Sequence, residues 1–125
     1  MKKLLLVATM MLNFIAVNAQ NIGSAEMKGS LLFVEDVNGK QIYYGSGLTG
    51  ELVGYSSEMV VSKQNNAVWC YIISNGSLKS IYGGSGIEGD IKSVNGKSVI
   101  TNKGGMKCKY NISNSNATIE YCRPQ

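Results

Sequence analysis

Short apolar stretches alternate with polar turn residues along most of the chain, and no stretch after the first 19 residues sustains a helical period. Asn-Gly pairs recur between these stretches. Such a pair is a strong hairpin signal because both residues tolerate the positive φ of a tight turn. The pattern predicts an all-β chain of about ten short antiparallel strands. The clearest strand, at 106–112, has apolar side chains at alternate positions: Met106, Cys108, Tyr110 and Ile112.

The spacing of the turns indicates internal repetition. Turns fall near positions 38, 56, 75, 95 and 114, so successive turns are 18, 19, 20 and 19 positions apart. This predicts five pseudo-repeats of 18–20 residues, each containing two strands. The fifth repeat would combine the opening strand at 31–37 with the last strand at 117–122. Pairing of these two strands would close the sheet as a barrel or flower and leave no exposed edge.

A glycine-rich stretch at 45–52 returns at 84–91, 39 positions later, with the spacing of a dinucleotide-binding fingerprint. That fingerprint requires a helix after the glycines, because the helix N-terminus receives the pyrophosphate. The residues that follow both stretches instead continue as strands. The glycines are therefore interpreted as turns, and no nucleotide or other cofactor is expected.

The first 19 residues have the organisation of a signal peptide. A basic start is followed by an apolar run from Leu4 to about Val17, and small residues at Val17 and Ala19 predict cleavage after Ala19. The run of about 14 apolar residues is shorter than the ~20 needed to span a bilayer, so no transmembrane anchor is expected. The sequence thus predicts a loose lead at 20–30, one domain at 31–125, and a periplasmic or extracellular location.

The repeat rhythm and the export segment together resemble a known family. The units read Asn-Gly, an apolar pair, Gly and Gly-x-aliphatic, and the export segment ends in Asn18-Ala19-Gln20. These features resemble the five-fold β-flower proteins of Bacteroidetes over about residues 31–122. The resemblance implies a five-fold flower or funnel of β-hairpins. It implies no activity, so it assigns no functional residue.

The charge and the cysteines add constraints on partners and compartment. Residues 20–125 carry ten basic and eight acidic side chains, a net charge of +2, which does not favour a nucleic acid partner. The three cysteines, Cys70, Cys108 and Cys122, predict one disulfide and one free thiol in an oxidising compartment. Cys70 is interpreted as a small buried apolar residue.

Two hairpin registers are open for the cysteine pair. A three-residue loop at 114–116 would set Cys108 opposite Cys122. A two-residue loop at 114–115 would set Cys108 opposite Tyr121, and it would align Tyr110 and Ile112 with Ile119 and Ala117. The disulfide Cys108–Cys122 is the favoured pairing.

Candidate chemistry is sparse. The chain has no histidine, and its cysteines and carboxylates lack metal-binding spacing, so no metal site is expected. Glu51 and Asp90 occupy equivalent repeat positions and could flank a substrate as paired carboxylates do in glycoside hydrolysis. Tyr43, Tyr44 and Tyr82 could line one mouth of a ring and stack on a ligand.

These observations favour an exported, non-enzymatic binding or structural module whose partner would be a glycan, a peptide or another envelope protein. The alternative is a secreted inhibitor of C-type lysozyme. Those inhibitors carry Ser-Gly-x-x-Tyr, whereas Ser46-Gly47 and Ser85-Gly86 are followed here by Gly50 and Gly89 where the tyrosine would stand. A carbohydrate-active enzyme is the third hypothesis.

Overall fold

The computed structural model describes residues 19–125, so the expected signal peptide at 1–19 lies outside the described residues except for Ala19. The described part is all-β, as predicted, and it contains eleven antiparallel strands and no helix. The strands are β1 Ser24–Lys28, β2 Leu31–Glu35, β3 Gln41–Gly45, β4 Glu51–Tyr55, β5 Val60–Gln64, β6 Ala67–Ser74, β7 Ser77–Gly84, β8 Asp90–Asn95, β9 Ser98–Lys103, β10 Met106–Ser113 and β11 Asn116–Pro124.

The strands form three separate sheets, each an antiparallel meander in chain order. The first sheet contains β1 to β3, the middle sheet β4 to β7, and the third sheet β8 to β11. Each strand of the middle sheet has its counterpart in the third sheet about 39 positions later, as Ala67–Ser74 and Met106–Ser113 illustrate. The architecture of these two sheets therefore follows the 39-residue period that the glycine stretches mark.

The predicted closure of the chain into a ring is wrong for residues 19–125. The first strand pairs only with β2 and the last strand only with β10, so no barrel closes. The five equal two-strand repeats are not found either. The loops at 45–50 and 84–89 carry the chain from one sheet to the next instead of turning it back as a hairpin.

Two glycines explain why these loops leave the sheet. Gly50 and Gly89 have φ of 80° and 96°, which side-chain-bearing residues rarely adopt. A Cβ on Gly50 would lie 2.4 Å from the carbonyl oxygen of Lys63, and one on Gly89 would lie 2.7 Å from that of Asn102. The loop backbone thus packs directly on the following hairpin, which sets the start of the next sheet.

The segment at 20–30, expected to be a loose lead, contains β1. This strand pairs with β2 from Ser24 opposite Glu35 to Lys28 opposite Leu31. The two residues before it are also fixed, because the amide of Ile22 donates to the carbonyl of Ser57 at 2.9 Å and the amide of Gly23 donates to the carbonyl of Glu35 at 2.8 Å. Its apolar alternation is short, with Ala25 and Met27 alone, and only Ala25 is buried, so its formation depends on pairing with the neighbouring strand.

The middle sheet lies between the other two sheets. Val60 and Val61 are adjacent in β5 and point to opposite faces, yet both are fully buried. Val60 packs with Leu32 and Val34 of the first sheet, whereas Val61 packs with Val99 of the third sheet. The outer faces of the first and third sheets are therefore the free faces of the described stack.

The hairpin that ends the chain combines both predicted registers. Asn114 and Ser115 have positive φ and form a two-residue turn, which sets Tyr110 opposite Ile119. A β-bulge between Lys109 and Tyr110 then shifts the register by one residue. Cys108 consequently lies opposite Cys122 and forms the expected disulfide with it. The free cysteine is Cys70, which is buried, as expected.

Candidate functional site

Pairs of tyrosine hydroxyls hold the two glycine loops. In the first loop, Tyr43 accepts a hydrogen bond from the Gly47 amide at 3.0 Å, and Tyr71 accepts one from the Thr49 amide at 3.0 Å. The second loop repeats both contacts 39 positions later. The amides of Gly86 and Glu88 donate to Tyr82 and Tyr110 at 3.0 and 3.2 Å.

These contacts locate two of the candidate ligand residues inside the fold. Tyr82 is 9% exposed and belongs to the core between the middle and third sheets. Tyr43 is half-buried and packs on the other core cluster. The hydroxyls of both tyrosines accept backbone amides, so their polar ends stabilise the loops and do not face a common mouth.

Tyr44 occupies a different position, on the outer face of the first sheet. Its ring is 49% exposed and makes an edge-to-face contact with Phe33, with ring centroids 5.7 Å apart and planes at 85°. Tyr44 and Phe33 are direct cross-strand partners in β3 and β2. The opposite face of these strands carries the buried residues Leu32 and Val34.

Charged groups surround this aromatic pair. The ammonium of Lys28 lies over the Phe33 ring, 3.9 Å from its centroid. Glu26 is the cross-strand neighbour of Phe33, and Glu35 lies two positions along β2 on the same face. The outer face of the first sheet thus combines an exposed ring with hydrogen-bond acceptors and one cation.

The candidate carboxylates lie on different sheets. Glu51 begins β4 of the middle sheet, opposite Lys63, and Asp90 begins β8 of the third sheet, opposite Asn102. Both are exposed. The structure therefore keeps these two residues at equivalent positions of two different sheets.

The outer face of the third sheet is polar and basic. Lys107 and Lys109 alternate along β10 with the buried residues Cys108 and Tyr110, so they point away from the core. Their cross-strand partners in β11 are Arg123 and Tyr121. The guanidinium of Arg123 stacks over the Tyr121 ring, 4.2 Å from its centroid.

One carboxylate neutralises part of this face. Glu120 accepts a hydrogen bond from the Asn111 amide group at 2.9 Å and pairs with the Lys109 ammonium at 3.4 Å. The Asn111 hydrogen bond and then Lys109 lower the pKa of Glu120. The only other ion pair among residues 19–125 joins Lys103 to Glu88 in the second glycine loop.

Three further properties of the described residues concern the free thiol, metal ligands and membrane crossing. Burial raises the pKa of the Cys70 thiol to about 12, so the thiol is protonated and unreactive near neutral pH. Residues 19–125 contain no group of three potential metal-ligating side chains. The same residues form no helix of the length and apolarity that crossing a bilayer requires.

Sequence reasoning missed several residues of these faces and loops, although signals for three of them were present. A hairpin centred on Asn38-Gly39 already sets Phe33 opposite Tyr44. Tyr71 and Tyr110 share the 39-residue period with the loops that they hold. The sequence carried no signal for Lys28 and Arg123. Each is placed by its contact with an aromatic ring, Phe33 for Lys28 and Tyr121 for Arg123, and no sequence pattern predicted these contacts.

No protein-family model matches the chain, and the searches of curated proteins and of solved structures find no significant match.

Proposed function

We propose that the chain is an exported, non-enzymatic binding module that recognises a glycan with the outer face of the first sheet. The observation that carries the proposal is the exposed Tyr44 ring, fixed edge-on by Phe33. A sugar ring presents an apolar C–H face that can pack on an aromatic ring. Its hydroxyls can donate hydrogen bonds to neighbouring carboxylates.

The surroundings of Tyr44 offer both a restrained aromatic ring and neighbouring carboxylates. Phe33 restricts the ring, so little side-chain entropy remains to be lost on binding. Glu26 and Glu35 share the face and offer acceptors to sugar hydroxyls. Tyr43, by contrast, points to the other side of β3 and contacts the first glycine loop. The proposal therefore concerns Tyr44 alone among the three candidate tyrosines.

A glycan array probed with residues 20–125 tests this proposal, and Tyr55 provides a matched control. Tyr55 lies on β4 and is 41% exposed, close to the exposure of Tyr44. We expect retention of at least one glycan class. Tyr44→Ala should weaken that binding by about tenfold or more, through loss of the stacking surface. Tyr55→Ala should bind like the unsubstituted protein.

Two outcomes would contradict the proposal: no glycan retained on the array, or equal losses for Tyr44→Ala and Tyr55→Ala. An inhibition assay against a C-type lysozyme, run with the same proteins, addresses the alternative. Inhibition of the lysozyme at micromolar protein that is unchanged in Tyr44→Ala, together with no glycan bound on the array, would favour the inhibitor hypothesis. The absence of both glycan binding and lysozyme inhibition would favour a purely structural role.

A further inference from the structure

The charges of the chain are segregated between its sheets. Residues 90–125, which form the third sheet, carry six basic side chains and two acidic ones, a net charge of +4. Residues 20–89 carry four basic and six acidic side chains, a net charge of −2. The small net charge of the whole chain therefore conceals a basic end and an acidic remainder.

The repeat shows that the basic face replaces an apolar one. Lys107 and Lys109 stand 39 positions after Val68 and Cys70, which are fully buried between the middle and third sheets. A terminal unit of a stacked repeat protein needs a polar outer face to remain soluble. Solubility accounts for polar residues at these positions, but neutral or acidic residues would meet the same need. The basic sign therefore requires a separate explanation.

The cross-strand geometry adds a second observation. Lys107 lies directly opposite Arg123, and like charges in this position destabilise a sheet. Neither residue makes an ion pair within residues 19–125. Asp90 lies in the same cross-strand row, but Asn102 separates it from Lys107. A bound anion would relieve this repulsion.

The shape of the face indicates the class of anion. The strand β10 has eight residues and spans about 26 Å, so the face can accommodate several units of an extended chain. Stacking on Tyr121 orients the Arg123 guanidinium, which can bind a carboxylate or sulfate through its N–H groups. Few apolar side chains project from this face, which disfavours insertion into a lipid surface.

We propose that the outer face of the third sheet binds an acidic polysaccharide, with Lys107 and Arg123 contacting its carboxylate or sulfate groups. Charge complementarity and the unpaired cross-strand cations carry this proposal. It is independent of glycan recognition at Tyr44, since the middle sheet separates the two faces. The chain would then connect two partners, one at each end of its stack of sheets.

Binding of residues 20–125 to immobilised polygalacturonate and heparin tests the proposal, with dextran as the neutral polymer. We expect binding to both acidic polymers but not to dextran, and a marked loss of affinity between 50 and about 300 mM salt, since screening weakens contacts between exposed charges. The double variant Lys107→Gln/Arg123→Gln should bind about tenfold more weakly or worse. The matched control, Lys40→Gln/Lys79→Gln, removes two exposed cations outside the third sheet and should bind normally.

Further binding experiments distinguish recognition of acidic polysaccharides from non-specific attraction of a basic surface to any anion. Duplex DNA and vesicles rich in phosphatidylglycerol should bind more weakly than the acidic polysaccharides. Equal or tighter binding of either, or an equal loss in the two double variants, would overturn the proposal. The single variant Lys107→Gln serves if the double variant does not fold. Tyr44→Ala should leave polygalacturonate binding unchanged, so failure of the glycan proposal and failure of this one are distinguishable.

Discussion

At the scale of single residues, the hydroxyl groups of tyrosine determine how the sheets are joined. Each glycine loop offers two backbone amides that no strand partner can satisfy, and tyrosines from two different strands accept them. These hydrogen bonds are exposed or partly buried, and a typical intramolecular hydrogen bond contributes about 1 kcal/mol to stability. The same contacts recur in both loops, which indicates that the tyrosines and glycines of this chain act together as a connector between sheets.

Removing one of these hydroxyls should lower stability without changing packing. Tyr82→Phe keeps the buried ring but leaves the Gly86 amide without its acceptor, so we expect a loss of about 1 kcal/mol in the free energy of unfolding. Urea unfolding measures this change. Tyr55→Phe is the control, since Tyr55 is 41% exposed, and it should have no effect. Equal stabilities for the two variants would contradict the role assigned to the Tyr82 hydroxyl.

For two other hydroxyl groups, we expect that removal does not lower stability. Ser62 and Thr101 are equivalent in the repeat and fully buried, and their hydroxyls have no hydrogen-bond partner among residues 19–125. Thr101→Val should therefore leave stability unchanged or raise it, because it removes an unpaired polar group while keeping the shape. Ser98→Ala, which removes a hydroxyl bonded to Asn111 at 2.6 Å, should lower it. Thermal unfolding compares the stabilities of the two variants. A large loss of stability for Thr101→Val would contradict the prediction, because it would mean that the Thr101 hydroxyl has a hydrogen-bond partner.

At the scale of elements, the last hairpin shows how a bulge reconciles two requirements. The two-residue turn places Ile112 opposite Ala117, on the face that reaches the core. The bulge between Lys109 and Tyr110 then brings Cys122 opposite Cys108. Because β11 is an edge strand, the disulfide is a covalent link between that edge and the interior of the sheet.

Loss of the disulfide should lower the stability of the whole domain, and it should loosen the edge strand β11 more than the other strands. Replacing both cysteines by alanine should lower the free energy of unfolding by about 2–4 kcal/mol, because the unfolded chain is no longer constrained. The sequence separation of 14 places the expected loss near the middle of that range. Hydrogen exchange should show faster exchange in β11 than in β9. Unchanged stability would mean that the bond does not form in solution.

The sequence was sufficient to predict elements that carry their own signal. Alternation identified β10, and the Asn-Gly pairs identified the turns after β2, β6 and β8. It was not sufficient for β1, whose alternation consists of only Ala25 and Met27 and is too short to identify a strand by itself. It also failed for the sheet boundaries, since these depend on the packing of each glycine loop against the following hairpin, at Lys63 or Asn102, which the sequence pattern does not reveal. For the candidate site, Tyr44 could be named, but its separation from Tyr43 and Tyr82 depended on the unknown faces of the strands.

At the scale of the whole molecule, the stacking order determines where partners can bind. Strands β5 and β6 of the middle sheet are covered on both faces, although β4 leaves Tyr55 41% exposed, so the whole sheet faces that remain available are the outer faces of the first and third sheets. These faces differ in character: one is aromatic with carboxylates and the other is basic. A stack with two unlike ends is compatible with the proposed module, in which one end would bind a glycan and the other an acidic polysaccharide.

A titration of 15N-labelled protein with a glycan selected on the array tests this account most directly, because amide shifts locate the bound ligand. The account predicts shifts concentrated in β2 and β3 around Phe33 and Tyr44, with β5 and β6 of the covered middle sheet unchanged. Shifts centred on the glycine loops at 45–50 and 84–89 would contradict it, because those loops would then form the ligand site.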